Sequence, residues 1–550
     1  MQPQDSSPDF VLSPLPPASG LARARLLPGT LWRLGPWALA RYARHRLAAG
    51  RALPADTPCP APPFLCPDAT PPPGIDWCPG VPADARRLPA LAVPTDGPFD
   101  IRLVWEAGRL VDLASLPPPE AEAMVRDFLA ANPPFRGPHW ACGQEAAIRL
   151  AHLLEARAAI GGNVLPGLRA LVGLHRARIA ATLDYAMAQD NNHAISEASG
   201  LWAASLVLDD AAGAARGRAL LQRAVLRLFA PGGAFSQHSM RYHAVALEMA
   251  AFGERTARAH GAAGLEAAVL ARLAAGAGWL RHLADPGSGR AWRVGHDDSS
   301  RLFGAPADDL RPVLARAGGA FPAPAMATGS TWLDLEGGFA SLRCGPWRAF
   351  LRLPVHRFRP SQADALHLDL WQGGCCLSGD PGTYLYNANA DPAAPDLART
   401  AAHNTVGFDE DDQMPRLSRF LYAAWLRPAA IEAADGGIRA AYRDWKGRSH
   451  GRAVRCSGAE LHVSDRVEGS FGRAVLRWRL PEAAWRLDAG RLSGGPFSLE
   501  ITGAEAVGLV RLPVAARYGR LESQPVLEAA TDRAGTVLSR FALAECRPMA

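Results

Sequence analysis

Asn191, Asn192 and His193 open the stretch whose residue types are best suited to chemistry. Two adjacent amides precede an imidazole, and Glu197 follows His193 four residues later. If a helix begins near Asn191, His193 and Glu197 lie on one face. Apolar residues such as Trp202 come next and predict a buried helix. Buried polar groups must find partners or line a cavity. The stretch is therefore either a capped helix with a hydrogen-bonded core histidine or part of a site.

A second polar motif runs from Gln237 to His243. On a helix, His238 and Tyr242 share one face, and Gln237 and Arg241 share the neighbouring face. The alternative is a tyrosine that packs in the core beside a histidine that caps the helix.

A third group of residues has the types that bind a metal. His367, Asp380 and His403 lie on separate strands or loops, and Asp369 points to the same side of a strand as His367. Two histidines and one carboxylate suit zinc. The same residue types also form hydrogen-bonded structural clusters, so both readings stay open.

Seven helical segments must position the first two motifs. Apolar residues recur at helical spacing in each segment, and proline, glycine or asparagine occupies most of the short gaps. Short connections indicate antiparallel neighbours, and the absence of a heptad favours a curved barrel or toroid. The predicted helices cover roughly 118–132, 144–160, 164–189, 192–209, 213–229, 236–259 and 264–284.

The pattern changes near residue 325. Short alternating segments, including 331–335, 339–343, 349–353 and 460–464, predict an antiparallel sheet region to the end of the chain. Helices followed by strands indicate two domains, and a ligand cleft is expected between them. Before the helices, residues 21–50 predict an amphipathic basic helix packed on its own protein rather than on a membrane. Residues 52–98 are proline-rich and predict an extended arm.

Composition excludes several classes of protein. The chain has 550 residues, 48% of them hydrophobic, and a net charge of +6, with no basic run typical of a nucleic-acid surface. No apolar run is long enough to span a membrane. Its nine cysteines form no CxxC pair and predict a reduced protein without disulfides. The absence of an ordinary secretory signal favours the cytoplasm, with the periplasm or cell envelope as the alternative.

Taken together, the motifs resemble the heparinase II/III-like polysaccharide lyases. The resemblance extends over about residues 100–420, and its matching residues follow one another in order. They are Asp100 to Arg109, Trp140, Glu145, Arg149, Asn192, His193, Glu197, Ser236, Gln237, Tyr242, His243, Asp364 to Trp371, Asp380 to Tyr384 and His403 to Val406.

The resemblance implies an α+β multidomain fold: an arm over 1–99, an incomplete (α/α) toroid over 100–325 and an antiparallel β-sandwich over 326–550. It also implies cleavage of an acidic, uronate-containing polysaccharide by β-elimination. The expected partner is that polysaccharide, without nucleic acid and without a membrane span, and a homodimer stays open.

Elimination from a 4-linked uronate removes the C5 proton next to a carboxylate, so an enzyme must neutralise that carboxylate and stabilise the enolate. Asn192 and His193 are the candidates for this role. Tyr242 is the candidate acid, base or both, and His403 completes the catalytic set. Free tyrosine has a pKa of about 10, so a basic Tyr242 needs positive neighbours.

The resemblance also assigns contacts and a metal. A structural zinc ion would be held by His367, Asp380 and His403, with Asp369 supporting a ligand. The residues assigned to substrate binding are Trp140, Glu197, Gln237, His238, Arg241 and Arg359.

One position departs from the family pattern. Many family lyases carry a substrate-facing histidine two residues before the first metal ligand, and this chain has Ala365 there. Either His403 or Arg359 fills the role, the reaction differs, or activity is lost. Two alternatives therefore accompany the lyase: a glycan-handling protein of exopolysaccharide or envelope biosynthesis with weak or no lyase activity, and a glycoside hydrolase on a similar toroid. A hydrolase needs two carboxylates, for which Asp297 and Asp298 are the candidates.

Overall fold

In the computed structural model, a helical region precedes a region of antiparallel sheets. The structure describes residues 12, 19–47, 53–54, 57–58, 75–161, 166–304, 306, 308–322, 329–357, 359–387, 390–418, 421–434 and 436–543. Much of the predicted arm and the predicted boundary near residue 325 lie outside these ranges. The described helices are α1 (Gly20–Leu47), α2 (Ile101–Gly108), α3 (Pro118–Ala131), α4 (Gly143–Ile160), α5 (Pro166–Ala188), α6 (Asn192–Val207), α7 (Ala211–Leu228), α8 (Met240–Ala259), α9 (Ala267–Leu283) and α10 (Arg311–Ala320).

The seven predicted helices correspond to α3 to α9, and they form an incomplete (α/α) toroid. The predicted basic helix is α1, which is interrupted at Gly35, where φ is 82°. Two short helices, α2 and α10, were not predicted. Among the described helices, none has the length and apolar character needed to cross a membrane.

Side-chain caps set the start of the two helices that carry the polar motifs. The Asn191 side chain accepts a hydrogen bond from the backbone N–H of His193 at 3.0 Å and caps α6. Ser239 caps α8 by accepting from the backbone N–H of Tyr242 at 3.2 Å. Because α8 begins only at Met240, the prediction that His238 shares a helix face with Tyr242 is wrong. His238 precedes the cap and has a φ of 53°.

The C-terminal region is a β-sandwich of antiparallel strands. One sheet has the order β1-β2-β3-β4-β5, a second β14-β15-β16-β19-β12-β11-β10-β9, and a third β17-β18-β13-β6, while β7 and β8 form a separate pair. The strands are β1 (Thr331–Asp334), β2 (Phe339–Cys344), β3 (Trp347–Arg352), β4 (Leu368–Gln372), β5 (Cys375–Ser378), β6 (Val406–Phe408), β7 (Arg416–Ser418), β8 (Leu421–Tyr422), β9 (Pro428–Ala434), β10 (Gly437–Arg443), β11 (Ser449–Ser457), β12 (Glu460–Glu468), β13 (Ala474–Arg479), β14 (Arg486–Asp488), β15 (Arg491–Ser493), β16 (Phe497–Thr502), β17 (Ala506–Arg517), β18 (Arg520–Thr531) and β19 (Gly535–Leu543).

The first sheet joins the two regions because its side chains alternate between two cores. Phe339, Phe350 and Trp371 belong to the core of the helical region. Their neighbours along the strands, such as Ala340 and Leu370, belong to the core of the sandwich. The helical region therefore packs directly on one face of this sheet. This packing fixes the position of the helical region relative to the sandwich.

The prediction of a protein without disulfides is wrong. Cys344 at the end of β2 and Cys456 in β11 form a disulfide, with Cα atoms 5.3 Å apart. The two residues are 112 positions apart in the chain, and only the tertiary fold brings them together.

Candidate active site

His193 is the predicted catalytic residue with the clearest chemical environment. It lies in the first turn of α6, and its Nδ1 is 3.3 Å from Glu197 Oε1. Cys142, the residue that precedes α4, lies within electrostatic reach of its ring. The side chain is 19% exposed, so solvent or a ligand can reach it. The predicted helix face is therefore present, and it places the His193 imidazole beside the Glu197 carboxyl.

These partners keep His193 positively charged. Burial lowers the pKa of His193, but Cys142 and then Glu197 outweigh it and raise the pKa to about 10. Glu197 is almost fully buried, and burial raises the pKa of its carboxyl despite the opposing effect of His193. At neutral pH, the site therefore presents an imidazolium at a partly exposed surface.

Asn192 has its contacts inside the helical region. Its side-chain amide donates to Gln144 Oε1 at 2.7 Å, and its backbone N–H donates to Gln237 Oε1 at 3.1 Å. The residue is only 2% exposed. Gln237 thus ties the start of α6 to the segment that leads into α8.

Tyr242 is paired with a carboxylate. Its hydroxyl donates to Asp298 Oδ2 at 3.0 Å, and the same oxygen is 2.9 Å from Arg102 Nε. Burial and Asp298 raise the pKa of Tyr242 well above its usual value. Burial also acts to raise the pKa of Asp298, but Arg102 and Arg109, together with hydrogen bonds from Ser300 and Tyr242, outweigh it and the net shift is downward. The resting pair is therefore a neutral phenol beside a carboxylate.

The expectation that cationic neighbours make Tyr242 basic is not met. Arg241 is paired with Asp297 at 3.4 Å. His243 contacts the backbone carbonyl of Gly276 at 3.0 Å. The positive residue that acts on Tyr242 is Arg102, and it acts less strongly than Asp298 does.

Besides Asn192, Glu197, Arg241 and Tyr242, three further residues predicted to contact substrate are buried in the structure. Trp140 is fully buried, is covered by the Arg149 guanidinium at 4.9 Å and donates to the carbonyl of Asn132. It is therefore a core residue and offers no surface for a sugar. His238 is 3% exposed and contacts Arg352 at 3.0 Å across the domain junction. Its predicted contact with substrate is not supported by this position.

His403, the third, has no exposed surface. Its Nδ1 is 2.8 Å from the backbone carbonyl of Arg399, and its Nε2 is 3.3 Å from Gln362 Oε1. Both ring nitrogens thus face the protein. His403 cannot reach a sugar in this arrangement, so neither its predicted catalytic role nor its substitution for the residue missing at Ala365 is supported.

Arg359 is placed beside the start of α6. Its guanidinium donates to the backbone carbonyl of Gln189 at 2.7 Å, and the residue is partly exposed. It lies within electrostatic reach of Tyr185 and Tyr386, and Tyr386 lies within reach of Tyr242. Tyr185 is in turn within reach of Glu197. Arg359 therefore places a guanidinium beside the start of α6.

The large cleft between the two regions lies to one side of this surface. It has a volume of 740 Å³, and the predicted residues Arg241, Asp297, Asp369 and Asp380 line it. Four further arginines line it, but so do acidic residues. We place the candidate site at His193 and not in this cleft. A charged, partly exposed imidazole indicates a chemical role, whereas the volume of a cleft does not. The four additional arginines are Arg290, Arg293, Arg517 and Arg520.

The predicted zinc ligands are close together, but they bond to one another and to the backbone. His367 Nδ1 accepts from the backbone N–H of Asn404 at 2.9 Å, and its Nε2 is 2.7 Å from Asp369 Oδ1. A neutral imidazole has one lone pair and one N–H, so His367 keeps no free ligand atom. His403 Nε2 is 3.4 Å from Asp380 Oδ2.

Within the described ranges, no group of three His, Cys, Asp or Glu residues is arranged to hold a metal ion. The residue types fit zinc, but a zinc ion would have to replace hydrogen bonds that His367 makes with Asn404 and Asp369. The zinc ion stays a prediction, and no step below depends on it.

Sequence reasoning missed the partners that define the site. Gln144 and Asp298 bond to Asn192 and Tyr242 respectively, and Cys142 lies within electrostatic reach of His193. Cys142 and Gln144 flank the start of a helix, where polar side chains often have local roles, but nothing in the sequence pairs them with α6. Asp298 is 56 residues from Tyr242, and no spacing rule connects the two.

Comparison with known proteins supports the fold. The family model described as heparinase II/III-like, C-terminal, matches residues 326–518. This segment is a heparinase II/III-like domain. The predicted resemblance is therefore confirmed for the sheet region, which contains His367, Asp380 and His403. A search of curated proteins gave no match.

Solved polysaccharide lyases share the architecture of both the helical region and the heparinase II/III-like domain. Heparinase III is 13% identical with a TM-score of 0.64, and the alignment covers 93% of this chain and 90% of that chain. A heparan sulfate lyase from Pedobacter heparinus is 16% identical with a TM-score of 0.52, covering 82% and 77%. A chondroitin AC lyase from Streptomyces coelicolor is 13% identical with a TM-score of 0.51, covering 97% and 81%. At these identities, the similarity establishes the toroid-plus-sandwich fold.

Proposed function

We propose that the protein is a polysaccharide lyase that cleaves a uronate-containing glycan by β-elimination. The observation that carries the proposal is the His193 imidazolium at a partly exposed surface. A neutral imidazole would be a weak partner for a uronate carboxylate, whereas an imidazolium forms a charge-assisted hydrogen bond with it. The polysaccharide lyases that share the fold support the same class of reaction.

In this proposal, His193 and Arg359 neutralise the uronate carboxylate. Charge moves onto that carboxylate when the C5 proton leaves, so fixed donors stabilise the transition state more than the ground state. Glu197 orients the His193 ring through its contact with Nδ1. Asn192 is a positioning residue, because its amide bonds to Gln144 and its backbone to Gln237.

Proton transfer is assigned to Tyr242 with Asp298 as its partner. The phenol proton passes to Asp298, the phenolate takes the C5 proton, and the regenerated phenol gives a proton to the leaving oxygen at C4. Asp298 then returns its proton to the phenolate, which restores the resting pair. The first transfer is uphill because the pKa of Tyr242 is raised and that of Asp298 is lowered. We therefore expect the rate of turnover to be low.

A glycan-handling protein without turnover is the second candidate. Ala365 stands where many family lyases carry a substrate-facing histidine, and it is fully buried. The raised pKa of Tyr242 also opposes its use as a base. The hydrolase alternative has less support, because Asp298 is bound by Arg102 while Asp297 faces Arg241. The two carboxylates thus have separate partners.

A panel of uronate-containing polysaccharides separates these functions. A lyase produces a rise in ultraviolet absorbance from the new C4–C5 double bond. A binding protein retards the glycan in affinity electrophoresis without any rise. New reducing ends without a change in absorbance would overturn the lyase in favour of hydrolysis.

The pH dependence of turnover tests the role of His193. Because the imidazolium persists below its raised pKa, turnover is expected to hold through neutral pH and to fall as the pH rises through about 10. Cys142→Ser removes the main cause of the raised pKa and should move this fall to lower pH. Circular dichroism at each pH controls for unfolding. A fall between pH 6 and 7 in the unmodified protein would contradict the assignment.

Zinc is retained as a separate structural proposal. Its support is a buried group of two imidazoles and a carboxylate in the heparinase II/III-like domain. Elemental analysis of purified protein is expected to find one zinc ion per chain, lost in His403→Ala. As a control, His450→Gln changes another buried histidine, which is bonded to Asp465, and should keep the metal. Zinc content no higher than that of His403→Ala would refute the proposal.

The disulfide bears on the compartment. Disulfides form mainly in oxidising environments, so the Cys344–Cys456 bond supports the periplasm or cell envelope over the cytoplasm. An acidic polysaccharide substrate is consistent with that location.

A further inference from the structure

The helix α1 packs on its own protein along one side, as predicted. Trp37 contacts the core of the helical region, and the guanidinium groups of Arg41 and Arg227 lie over its ring at 5.3 and 5.1 Å. Arg33 reaches the sandwich and donates to the backbone carbonyl of Trp425 at 2.9 Å. These contacts hold α1 against both regions, so its outer side has a defined position on the surface of the protein.

The outer side of α1, which is turned to solvent, exposes apolar side chains. Trp32 is 87% exposed, and Leu21 and Leu47 are exposed to a similar extent. Sixteen large hydrophobic side chains are exposed in the described part of the chain, and seven of them belong to this one helix. Single exposed apolar residues are normal, whereas a concentration of them marks an interaction surface. The other four are Leu27, Leu31, Leu39 and Tyr42.

The same helix carries the net charge of the whole protein. It contains six arginines and no acidic residue. The chain has 59 basic and 53 acidic residues, so the part outside α1 has 53 of each and no net charge. Arg23, Arg25, Arg44 and Arg46 are exposed. A positive and partly apolar helix on an otherwise neutral protein favours an anionic partner with an apolar interior.

A basic recess lies where α1 meets α5 and α7. It has a volume of 510 Å³, and its lining includes Arg41, Arg44, His45 and Arg216. Asp184 is the one acidic residue among the described residues of that lining, and both Arg41 and Arg44 pair with it. Guanidinium groups bind phosphate through parallel hydrogen bonds, so the recess suits the phosphate of a lipid head group.

We propose that α1 attaches the protein to the surface of an anionic lipid bilayer. Trp32 and the exposed leucines enter the boundary between head groups and acyl chains, while the arginines lie at the level of the lipid phosphates. A soluble polyanion would pair with the arginines but leave the apolar side chains in water. A second copy of the chain, bound through the same side of α1, would bring arginines against arginines. The attachment does not depend on glycan cleavage, so it can hold or fail independently of the lyase assignment.

The test is co-sedimentation of the full-length protein with lipid vesicles. Vesicles of phosphatidylcholine with about one-third phosphatidylglycerol are expected to bind the protein about tenfold more tightly than vesicles of phosphatidylcholine alone. Raising the salt concentration from about 0.1 M to about 1 M should reduce this difference, because salt screens the attraction. Equal binding to the two kinds of vesicle, or no binding to either, would overturn the proposal.

The apolar contribution is tested at Trp32. Trp32→Ser is expected to weaken binding to the anionic vesicles about tenfold, because binding strength scales with the buried apolar area. Trp445→Ser changes an exposed tryptophan between β10 and β11 and should leave binding unchanged. Circular dichroism controls for folding. Vesicle binding by Trp32→Ser as tight as that of the unmodified protein would contradict insertion.

The charge contribution is tested with two double variants. Arg23→Gln/Arg25→Gln is expected to weaken binding to the anionic vesicles about tenfold. Arg439→Gln/Arg455→Gln removes the same charge from exposed positions in β10 and β11 and should leave binding nearly unchanged. Equal losses in the two double variants would show that net charge, and not α1, determines binding.

Two further measurements distinguish other partners of α1. Dextran sulfate, a soluble polyanion, is expected to bind more weakly than the anionic vesicles, and tighter binding to it would assign α1 to polyanions and overturn the proposal. Size-exclusion chromatography is expected to give the same mass for the unmodified protein and for Trp32→Ser. A dimer that is lost in Trp32→Ser would also overturn the proposal, since α1 would then be the interface between two copies.

Discussion

Tyr242→Phe is expected to abolish measurable elimination while leaving glycan binding nearly unchanged. The substitution removes the hydroxyl that transfers both protons and keeps the ring that packs in α8. Loss of a general acid–base group typically costs about 10²- to 10⁴-fold in rate. The measurement is the initial rate of ultraviolet absorbance on the substrate found in the panel, with affinity electrophoresis on the same glycan.

Tyr442→Phe is the matched control, because it removes a hydroxyl from a fully buried tyrosine in β10 of the sandwich. It should retain the full rate of elimination. Asp298→Asn supplies an independent check, since it takes away the acceptor of the Tyr242 proton. Retention of more than about a tenth of the rate in Tyr242→Phe would remove Tyr242 from the mechanism.

Glu145→Gln is expected to lower the free energy of unfolding by about 3–5 kcal/mol, the usual cost of breaking a buried ion pair. Arg109 is 1% exposed, and its Nε and Nη2 donate to the two oxygens of Glu145 at 2.6 and 2.7 Å. Glu106 also contacts Arg109, but it is 27% exposed and farther away, at 3.2 Å. The neutral amide would leave the buried guanidinium without its main counter-charge. Urea unfolding followed by circular dichroism measures the change.

A surface ion pair provides the comparison. Glu155→Gln breaks the ion pair with Arg255. The side chains of Glu155 and Arg255 are 33% and 34% exposed. Solvent weakens such pairs, so the expected loss is under about 1 kcal/mol. Equal effects of the two substitutions would show that the buried Arg109–Glu145 pair does not hold the helical region together.

Periodicity predicted the elements well because burial determines them. The apolar spacing of α3 to α9 corresponds to helices that are packed on the core, and the alternation in β2 and β3 corresponds to a sheet with two buried faces. Such patterns are local, so sequence alone is enough to find them.

Local patterns failed where tertiary contacts or caps decide the structure. Ser239 begins α8, which separates His238 from the helix on which spacing alone would place it. Trp140 and Glu145 belong to the matched motif, yet both are core residues here. Glu145 can be buried because its ion pair with Arg109 offsets the cost of burying its charge.

The pairs that define the site could not be found by spacing. Tyr242 and Asp298 are 56 residues apart, and Cys344 and Cys456 are 112 apart. Sequence reasoning identified His193 and Glu197 because both lie on one helix. It missed Cys142 because α4 and α6 meet only in three dimensions.

Digestion of the active glycan in ¹⁸O-labelled water, followed by mass spectrometry, tests the central claim most directly. Elimination adds no water across the broken bond, so the products should carry no label and the unsaturated fragment should absorb in the ultraviolet. Reducing ends that carry ¹⁸O, without an unsaturated sugar, would contradict the account, since they require hydrolysis rather than loss of the C5 proton.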